Sequence, residues 1–456
     1  LWVADLSTTG APRSIEVAGD VAYVGTGSTL HELDLTNPAA PVIARSISLG
    51  GAVTRTITHD GRVYVAGGIG VHVVDVATFT DLGGPSPTGD PFLLTPGPLT
   101  TAKETKQAML HDWGSRDISF IEANARILKR IVQIAGAEDT HICVPVQGSG
   151  TFAVEATLGT LIPRDGKSLV LVNGAYGQRM AKILKIIGRA YEILETPEDT
   201  PPDPKEVERI LAGDPDIGHV VMVHCETTSG ILNPLTEISD IVARHQRSLI
   251  IDAMSAFGAI ELDADKVRFD AVMASSNKCL EGVPGMGFSI IRKRVLEGCE
   301  GNAHSLSLDL YDQWRAMEKT RQWRFTPPTH VIAAFDKALD LYEAEGGQPG
   351  RARRYQNNCR LLVDGMRQMG FETLLPDDLQ APIIITFCMP ADTNFEFQAF
   401  YDRLKDKDYV IYPGKLTVAD SFRIGCIGQL GEMEMQGALD AVRQTLQELG
   451  VTSGAP

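Results

Sequence analysis

The sequence predicts an α/β fold, a mostly parallel sheet covered by helices, followed by a smaller α+β domain and preceded by an all-β segment of propeller-like repeats. Three observations predict it. Apolar runs rich in β-branched residues, at 168–172, 219–223, 249–251 and 271–273, alternate with helix-period segments, as buried parallel strands do. After Ala344-Glu345-Gly346-Gly347-Gln348-Pro349-Gly350 the pattern changes to a basic amphipathic helix from Arg351, strand-like runs at 381–388 and 409–412, and a last helix from Glu432. Ahead of both, Ala22-Tyr23-Val24-Gly25 with Leu33-Asp34-Leu35 recurs as Val63-Tyr64-Val65-Ala66 with Val74-Asp75-Val76. That period of about forty residues suits propeller blades.

The repeats belong to a stretch with its own composition, since the first Lys is Lys103 and the first Cys is Cys143. They are similar to the LVIVD type of β-propeller repeat. About two blades cannot close a ring that usually needs four, so a small independent antiparallel sheet explains the same pattern. Leu1-Trp2-Val3-Ala4-Asp5 reads as the tail of an earlier blade, and the start at Leu1 suggests a truncated, processed or fused chain. Asp81-Leu82-Gly83-Gly84-Pro85-Ser86-Pro87-Thr88-Gly89-Asp90 has linker composition. The expected organisation is repeats at 1–80, a linker at 81–92, a large domain at 93–345 and a small one at 346–456.

A chain of 456 residues has room for several domains and a large core. Its net charge of -16 argues against nucleic acid as a partner. No run is long and apolar enough to span a membrane. Seven Cys without a CxxC pair suit reduced thiols, and with them a cytoplasmic location, better than a disulfide framework. The His residues lack ligand spacing, so no metal site is expected.

The chemistry-bearing motifs follow the strands in order. Val144-Pro145-Val146-Gln147-Gly148-Ser149-Gly150-Thr151 opens a helix through small and hydroxylated residues, where free amides favour an anion such as phosphate. Asn173-Gly174-Ala175-Tyr176-Gly177-Gln178-Arg179 brings an aromatic ring to a sheet edge, able to stack on a flat ligand. His224-Cys225-Glu226-Thr227-Thr228 supplies hydroxyls at the same edge, Thr227 among them. Ser248-Leu249-Ile250-Ile251-Asp252 ends an apolar run in a carboxylate that can pair with a protonated pyridine nitrogen. Ala274-Ser275-Ser276-Asn277-Lys278-Cys279 sets a lysine among small residues, as a Schiff base with a carbonyl cofactor requires. Each motif also has a plainer reading: a helix cap, a packed junction Tyr, a polar turn, a strand-end Asp or a solvated loop Lys. Cys279, next to that lysine, reads as packing.

Together these motifs resemble the 2-aminoethylphosphonate:pyruvate transaminases, a class V family among the fold-type I pyridoxal phosphate enzymes, between residues 93 and 451. Further segments carry the likeness: Leu93-Leu94-Thr95-Pro96-Gly97-Pro98-Leu99-Thr100-Thr101, Ser305-Leu306-Ser307-Leu308-Asp309-Leu310-Tyr311, Trp323-Arg324-Phe325-Thr326, Tyr412-Pro413-Gly414-Lys415 and Phe422-Arg423-Ile424-Gly425. The resemblance implies a seven-stranded, mostly parallel sheet and pyridoxal 5'-phosphate as cofactor. It implies Lys278 as the Schiff-base lysine and Asp252 as the pyridinium partner. Tyr176 would stack on the cofactor and Thr227 bond its phenolic oxygen. Ser149, Gly150 and Thr151 would hold its phosphate, with Thr326 reaching in from a neighbouring subunit of a homodimer. Arg423 would grip the carboxylate of pyruvate, a task suited to a planar guanidinium. The implied reaction moves the amino group of 2-aminoethylphosphonate to pyruvate, giving phosphonoacetaldehyde and L-alanine in phosphonate degradation. Cationic or amide donors must hold the phosphonate, and Arg324 is one candidate. Two alternatives stay open. One is another class V transaminase, acting on alanine and glyoxylate or serine and pyruvate; the other is a binding or scaffold protein that uses the N-terminal repeats.

Overall fold

A computed structural model of the chain describes residues 11–37, 41–49, 52–59, 61–67, 70–77, 90–414 and 419–456. Leu1 to Asp5, residues 81–89 of the expected linker, and Lys415 lie outside the described residues. The first strands form an antiparallel sheet in chain order: β1 (Pro12–Ala18), β2 (Val21–Thr26), β3 (Thr29–Asp34) and β4 (Val42–Ser48). A second sheet holds β5 (Val53–His59), β6 (Arg62–Gly67) and β7 (Gly70–Asp75). The sequence repeat is a repeat of pairing, because Val21 stands opposite Asp34 and Arg62 opposite Asp75. The bonds that close the two hairpins, Leu35 N–H to Asp20 O (2.8 Å) and Val76 N–H to Gly61 O (3.0 Å), are equivalent too. Alternation along the strands gathers Tyr23, Leu30, Val63, Val65 and Val74 into one small core. Arg45 joins the sheets, pairing with Glu32 at 2.5 Å and donating to the Val76 carbonyl at 2.8 Å.

Residues up to Phe92 form one compact unit with Thr393–Val410 and Leu430–Thr452, which carry the helices Phe397–Lys405 and Glu432–Leu449. The other unit comprises Leu93–Asp392, Ile411–Gln429 and Ser453–Pro456. It opens with helix α1 (Ile118–Ile134), β8 (His141–Gly148), α2 (Gly150–Leu161), β9 (Lys167–Val172) and α3 (Ala175–Ile186). Next come β10 (Ala190–Glu195), α4 (Pro204–Gly213), β11 (Ile217–Val223), α5 (Leu235–Arg244), β12 (Ser248–Asp252), β13 (Ala271–Ser275) and β14 (Gly285–Arg292). Helices α6 (Leu310–Thr320), α7 (Thr329–Ala344) and α8 (Gly347–Gln368) precede β15 (Ile384–Cys388), β16 (Tyr412–Pro413) and β17 (Ser421–Gly425).

Seven strands make the main sheet, in the order β10-β9-β11-β12-β13-β14-β8, and β14 alone runs against the rest. The central strands are buried on both faces, with Val220, Val221, Ile250, Ile251, Ala271 and Val272 inaccessible to water. That two-sided burial is why these runs are apolar throughout instead of alternating. Every parallel strand therefore delivers its carboxyl end to one edge, where an open α/β sheet builds its crevice.

Three stretches differ from the pattern read in the sequence. The run at 409–412 is not one strand: Tyr409–Val410 and Tyr412–Pro413 pair in different sheets. Helix α8 starts at Gly347 instead of Arg351, because Pro349 falls in its first turn, where a missing N–H removes no intrahelical bond. The run at 381–388 pairs only from Ile384, since Pro382 has no N–H to give a ladder.

Candidate active site

The carboxyl ends of β11, β12 and β13 assemble the core of the site. Val223 pairs with Asp252 and Asp252 with Met273, so the carboxylate and the turn after Ser275 share one edge. Asp252 is buried, and one of its oxygens accepts the Met254 N–H at 3.0 Å. Burial raises its pKa to about 6, against opposing pulls from that hydrogen bond and from the charges of Arg179 and Lys278. Among the described residues no cation pairs with it directly. A buried carboxylate without a counterion is costly. It is a ready partner for a protonated nitrogen brought by a ligand.

Lys278 lies in the turn between β13 and β14. Its Nζ donates to the Pro96 carbonyl at 2.5 Å, and desolvation lowers its pKa to about 8. An amine so placed gives up its proton far more readily than a surface lysine, which a nucleophile needs. Gly97 is shaped around it. A Cβ there would lie 2.8 Å from Lys278 Nζ, and φ is +128°.

The amino end of α2 faces the same edge. Ser149 occupies the N-cap with no side-chain bond to the helix, so the leading amides of Gly150 and Thr151 have no cap. A Cβ on Gly150 would meet Met254 Sδ at 2.5 Å, two residues beyond Asp252. Thr151 Oγ1 accepts from Arg179 Nη1 at 3.2 Å, and that guanidinium lies 4.7 Å from the Tyr176 ring centroid. Arg179 thus ties the anion cradle to the aromatic ring and acts on Asp252. The amino end of α3 is capped from outside by Glu226, which accepts the N–H groups of Tyr176 (3.2 Å) and Gly177 (3.3 Å) and the Thr228 hydroxyl (2.6 Å). Burial pushes the Glu226 pKa up, opposed by those hydrogen bonds.

Arg423, on β17, is 1 % exposed. Its Nη1 donates to the Thr227 carbonyl at 2.7 Å, and its Nε and Nη2 to the Pro413 carbonyl at 3.2 and 3.0 Å. The guanidinium stands 5.0 Å from the Tyr412 ring, and desolvation lowers its pKa. No carboxylate pairs with it among the described residues. Such a cation suits a carboxylate ligand, and it brings Thr227 into the same neighbourhood.

Of the residues singled out in the sequence, Lys278, Asp252, Ser149, Gly150, Thr151, Tyr176, Thr227 and Arg423 lie on this edge or are linked to it by the contacts above. Thr326 is exposed between α6 and α7 and hydrogen-bonds to none of them. Arg324 pairs with Asp312 at 2.9 Å and donates to the Leu306 carbonyl at 2.9 Å. Cys279 donates its thiol to the Ser255 carbonyl at 3.3 Å, and burial pushes its pKa up to about 12, as for a packing residue. Sequence reasoning missed Arg179, Glu226 and the Pro96 carbonyl. The first two stood inside recognised motifs, and a charged residue beside a Gly-rich turn was the available signal.

Residues 107–405 match the family described as aminotransferase class V. The chain belongs to the class V aminotransferases. A 2-aminoethylphosphonate–pyruvate transaminase of Pseudomonas entomophila is 56% identical over 361 residues, 79% of this chain and 98% of that protein. One from Polaromonas is 56% identical over 367 residues, 80% and 98% of the two chains. Among solved structures, pyridoxamine-pyruvate aminotransferase from Mesorhizobium loti superposes with a TM-score of 0.73 at 23% identity, over 81% of this chain and 96% of that one. Aspartate aminotransferase of subgroup IV from Thermus thermophilus gives 0.71 at 22%, over 78% and 99%. The sheet order therefore belongs to the fold-type I aminotransferase architecture, as the sequence led one to expect.

The residues present fit pyridoxal phosphate, the cofactor of class V aminotransferases. The desolvated amine of Lys278 suits its aldehyde, the unpaired carboxylate of Asp252 its ring nitrogen, and the uncapped amides of α2 its phosphate. The hydroxyl of Thr227 has no partner among the described residues and is free for a ring oxygen.

Proposed function

We propose that this class V aminotransferase moves the amino group of 2-aminoethylphosphonate to pyruvate, yielding phosphonoacetaldehyde and L-alanine, with pyridoxal 5'-phosphate as cofactor. The observation that carries this reading is the conjunction of desolvated Lys278, unpaired Asp252 and unpaired Arg423 in a chain more than half identical to transaminases of that name over nearly their whole length.

Bound cofactor supplies an electron sink for the carbanion formed at the carbon that carries the amine. Lys278 tethers the cofactor while substrate is absent. Released from that tether, Nζ would act as base and then as acid, moving the proton from the donor carbon to the cofactor in the first half-reaction and one from the cofactor to the carbon derived from pyruvate in the second. Asp252 holds the ring nitrogen in its protonated form, which sustains the electron withdrawal. Tyr176 covers a ring face, and Ser149, Gly150 and Thr151 hold the phosphate. Arg423 orients pyruvate through two parallel N–H bonds to its carboxylate. Thr326 completes the phosphate site from the second subunit of a homodimer. The exposure of Thr326, of neighbouring Phe325 (48%) and of Phe152 (49%) on the first turn of α2 supports a covered face there. A cytoplasmic location and the domain division 1–80, 81–92, 93–345 and 346–456 complete the reading.

The test is direct. Purified protein loaded with pyridoxal phosphate should release alanine from pyruvate when 2-aminoethylphosphonate is the donor. Transfer from alanine to glyoxylate or serine to pyruvate, with none from the phosphonate, would keep the enzyme class and discard the substrate.

Two variants sharpen the site. Arg423→Met should raise KM for pyruvate by about 100-fold while leaving the phosphonate half-reaction within a few-fold, because a charged two-bond contact is lost; equal damage to both halves would contradict the assignment. Gly97→Ala should weaken pyridoxal phosphate binding to the apoprotein by about tenfold or more, since the new methyl strikes Lys278 at a φ that disfavours side chains. Absorbance titration of cofactor into apoprotein measures it.

A further inference from the structure

We propose that Glu281, held by Arg351, Arg354 and Tyr355 of α8, is a positioning residue that locks the Lys278 turn to the chain segment following Arg423. The inference rests on the aminotransferase reading of Lys278 and Arg423, and it assigns a task to a buried cluster that the reaction does not otherwise use.

Glu281 closes the turn that presents Lys278. Its N–H donates to the Lys278 carbonyl at 2.8 Å, and the Gly282 N–H to the Ser276 carbonyl at 2.8 Å. The turn requires φ of +55° at Glu281, a conformation that glycine adopts without penalty and glutamate does not. A strained glutamate persists where its side chain is fixed from outside, and here it is. The carboxylate accepts Tyr355 Oη at 2.6 Å and Arg354 Nη2 at 2.9 Å, with Arg351 Nη1 at 3.4 Å. Arg351 also donates to the Cys279 carbonyl, one residue past Lys278. A second carboxylate, Glu345, balances the two cations, at 2.8 Å from Arg351 Nε and 2.7 Å from Arg354 Nε.

The same side chains reach the segment beyond β17. Arg354 donates to the Gly428 carbonyl, and the Gly428 N–H donates to Tyr355 Oη at 3.2 Å. Asn358, one turn further along α8, donates to the Cys426 carbonyl at 3.1 Å. Tyr355 Oη is therefore a relay, donating to the lysine turn and accepting from the segment that follows Arg423. Glu281, Arg351 and Tyr355 are 4, 1 and 0 % exposed. Buried ion networks contribute little net stability compared with apolar packing. What this one does is fix two segments, the turn that carries the amine and the stretch that follows the strand of the carboxylate-binding cation, against a single helix.

Two variants test it. Glu281→Gly keeps the backbone conformation and deletes the clamp, while Tyr355→Phe deletes only the relay hydroxyl. Each should raise KM for pyruvate by about tenfold, and Glu281→Gly should also lower kcat. Lys278 itself is read without cofactor, by pH-dependent acetylation of the apoprotein followed by mass spectrometry of its peptide. In Glu281→Gly its apparent pKa should rise toward that of an ordinary lysine as the turn admits water. Variants with lower melting temperatures but wild-type KM, kcat and Lys278 labelling would overturn the proposal and leave a structural salt bridge. If Glu281→Gly does not fold, an unchanged KM in Tyr355→Phe alone overturns it. A wild-type protein that fails to use 2-aminoethylphosphonate and pyruvate would refute the substrate assignment instead, and the shift in Lys278 labelling would still support the clamp.

Discussion

Lys278→Ala is expected to lower kcat by about 10⁴-fold or more while leaving the fold intact. The size follows from one side chain serving as covalent tether and as acid and base, each role carrying orders of magnitude by itself. The intact fold follows from its surroundings, since Nζ donates to the Pro96 carbonyl and lies in no ion pair among the described residues. The linkage points the same way. Native Lys278 has its pKa lowered to about 8 from 10.5, so the unfolded chain binds the proton more tightly, and this group adds stability only as pH rises through that window. Near neutrality its removal should leave the apoprotein at least as stable as the wild type. Steady-state assays measure the first effect and thermal melts across pH the second. Borohydride reduction gives a third reading, because it should fix cofactor on the Lys278 peptide of the wild type and nowhere in the variant. More than about a tenth of wild-type activity in Lys278→Ala would remove this lysine from the mechanism.

What the sequence disclosed and what it hid divide along a physical line. Strands β11, β12 and β13 were legible because two-sided burial leaves continuous apolar runs, and Asp252 stood out as a polar residue ending one of them. Lys278, set among small residues just past the next run, was visible for the same reason. The contacts that tune these groups were not legible, because they join distant parts of the chain. Pro96 O meets Lys278 Nζ across 182 residues, and Tyr355 meets Glu281 across 74. Arg351 misled in a different way. In the sequence it opens a basic amphipathic helix, whose charges ordinarily face solvent, yet it is 1 % exposed and paired. Local pattern reports where charge lies along a helix, whereas its burial is decided by Glu281 and Glu345, which arrive from other turns. The N-terminal repeat was legible as a period, and its pairing register bore that out, because antiparallel hairpins are built from near neighbours.

Asp252→Asn should separate catalysis from stability in opposite directions. Without its charge the variant cannot hold the cofactor's ring nitrogen protonated, and the loss of a buried charged partner predicts a fall in kcat of between about 10² and 10³-fold. The apoprotein should behave otherwise. Native Asp252 has a pKa raised to about 6 from 3.8 by burial, so the folded state binds the proton more tightly than the unfolded chain. Its contribution to stability is then fully present below about pH 4 and is lost as pH rises through about 6. At pH 8 the wild-type apoprotein carries a buried carboxylate without a paired cation, at a cost of about 3 kcal/mol by the linkage of the two pKa values. Asparagine does not bear that cost, so the variant apoprotein should melt higher than the wild type at pH 8 and nearly together with it at pH 4. Cofactor reverses the order, because a protonated ring nitrogen gives the wild-type carboxylate its missing partner and gives asparagine little. Wild type should therefore gain more melting temperature from pyridoxal phosphate than Asp252→Asn does. A variant apoprotein no more stable at pH 8, together with equal gains on loading, would mean that Asp252 is an ordinary strand-end cap for the Met254 amide.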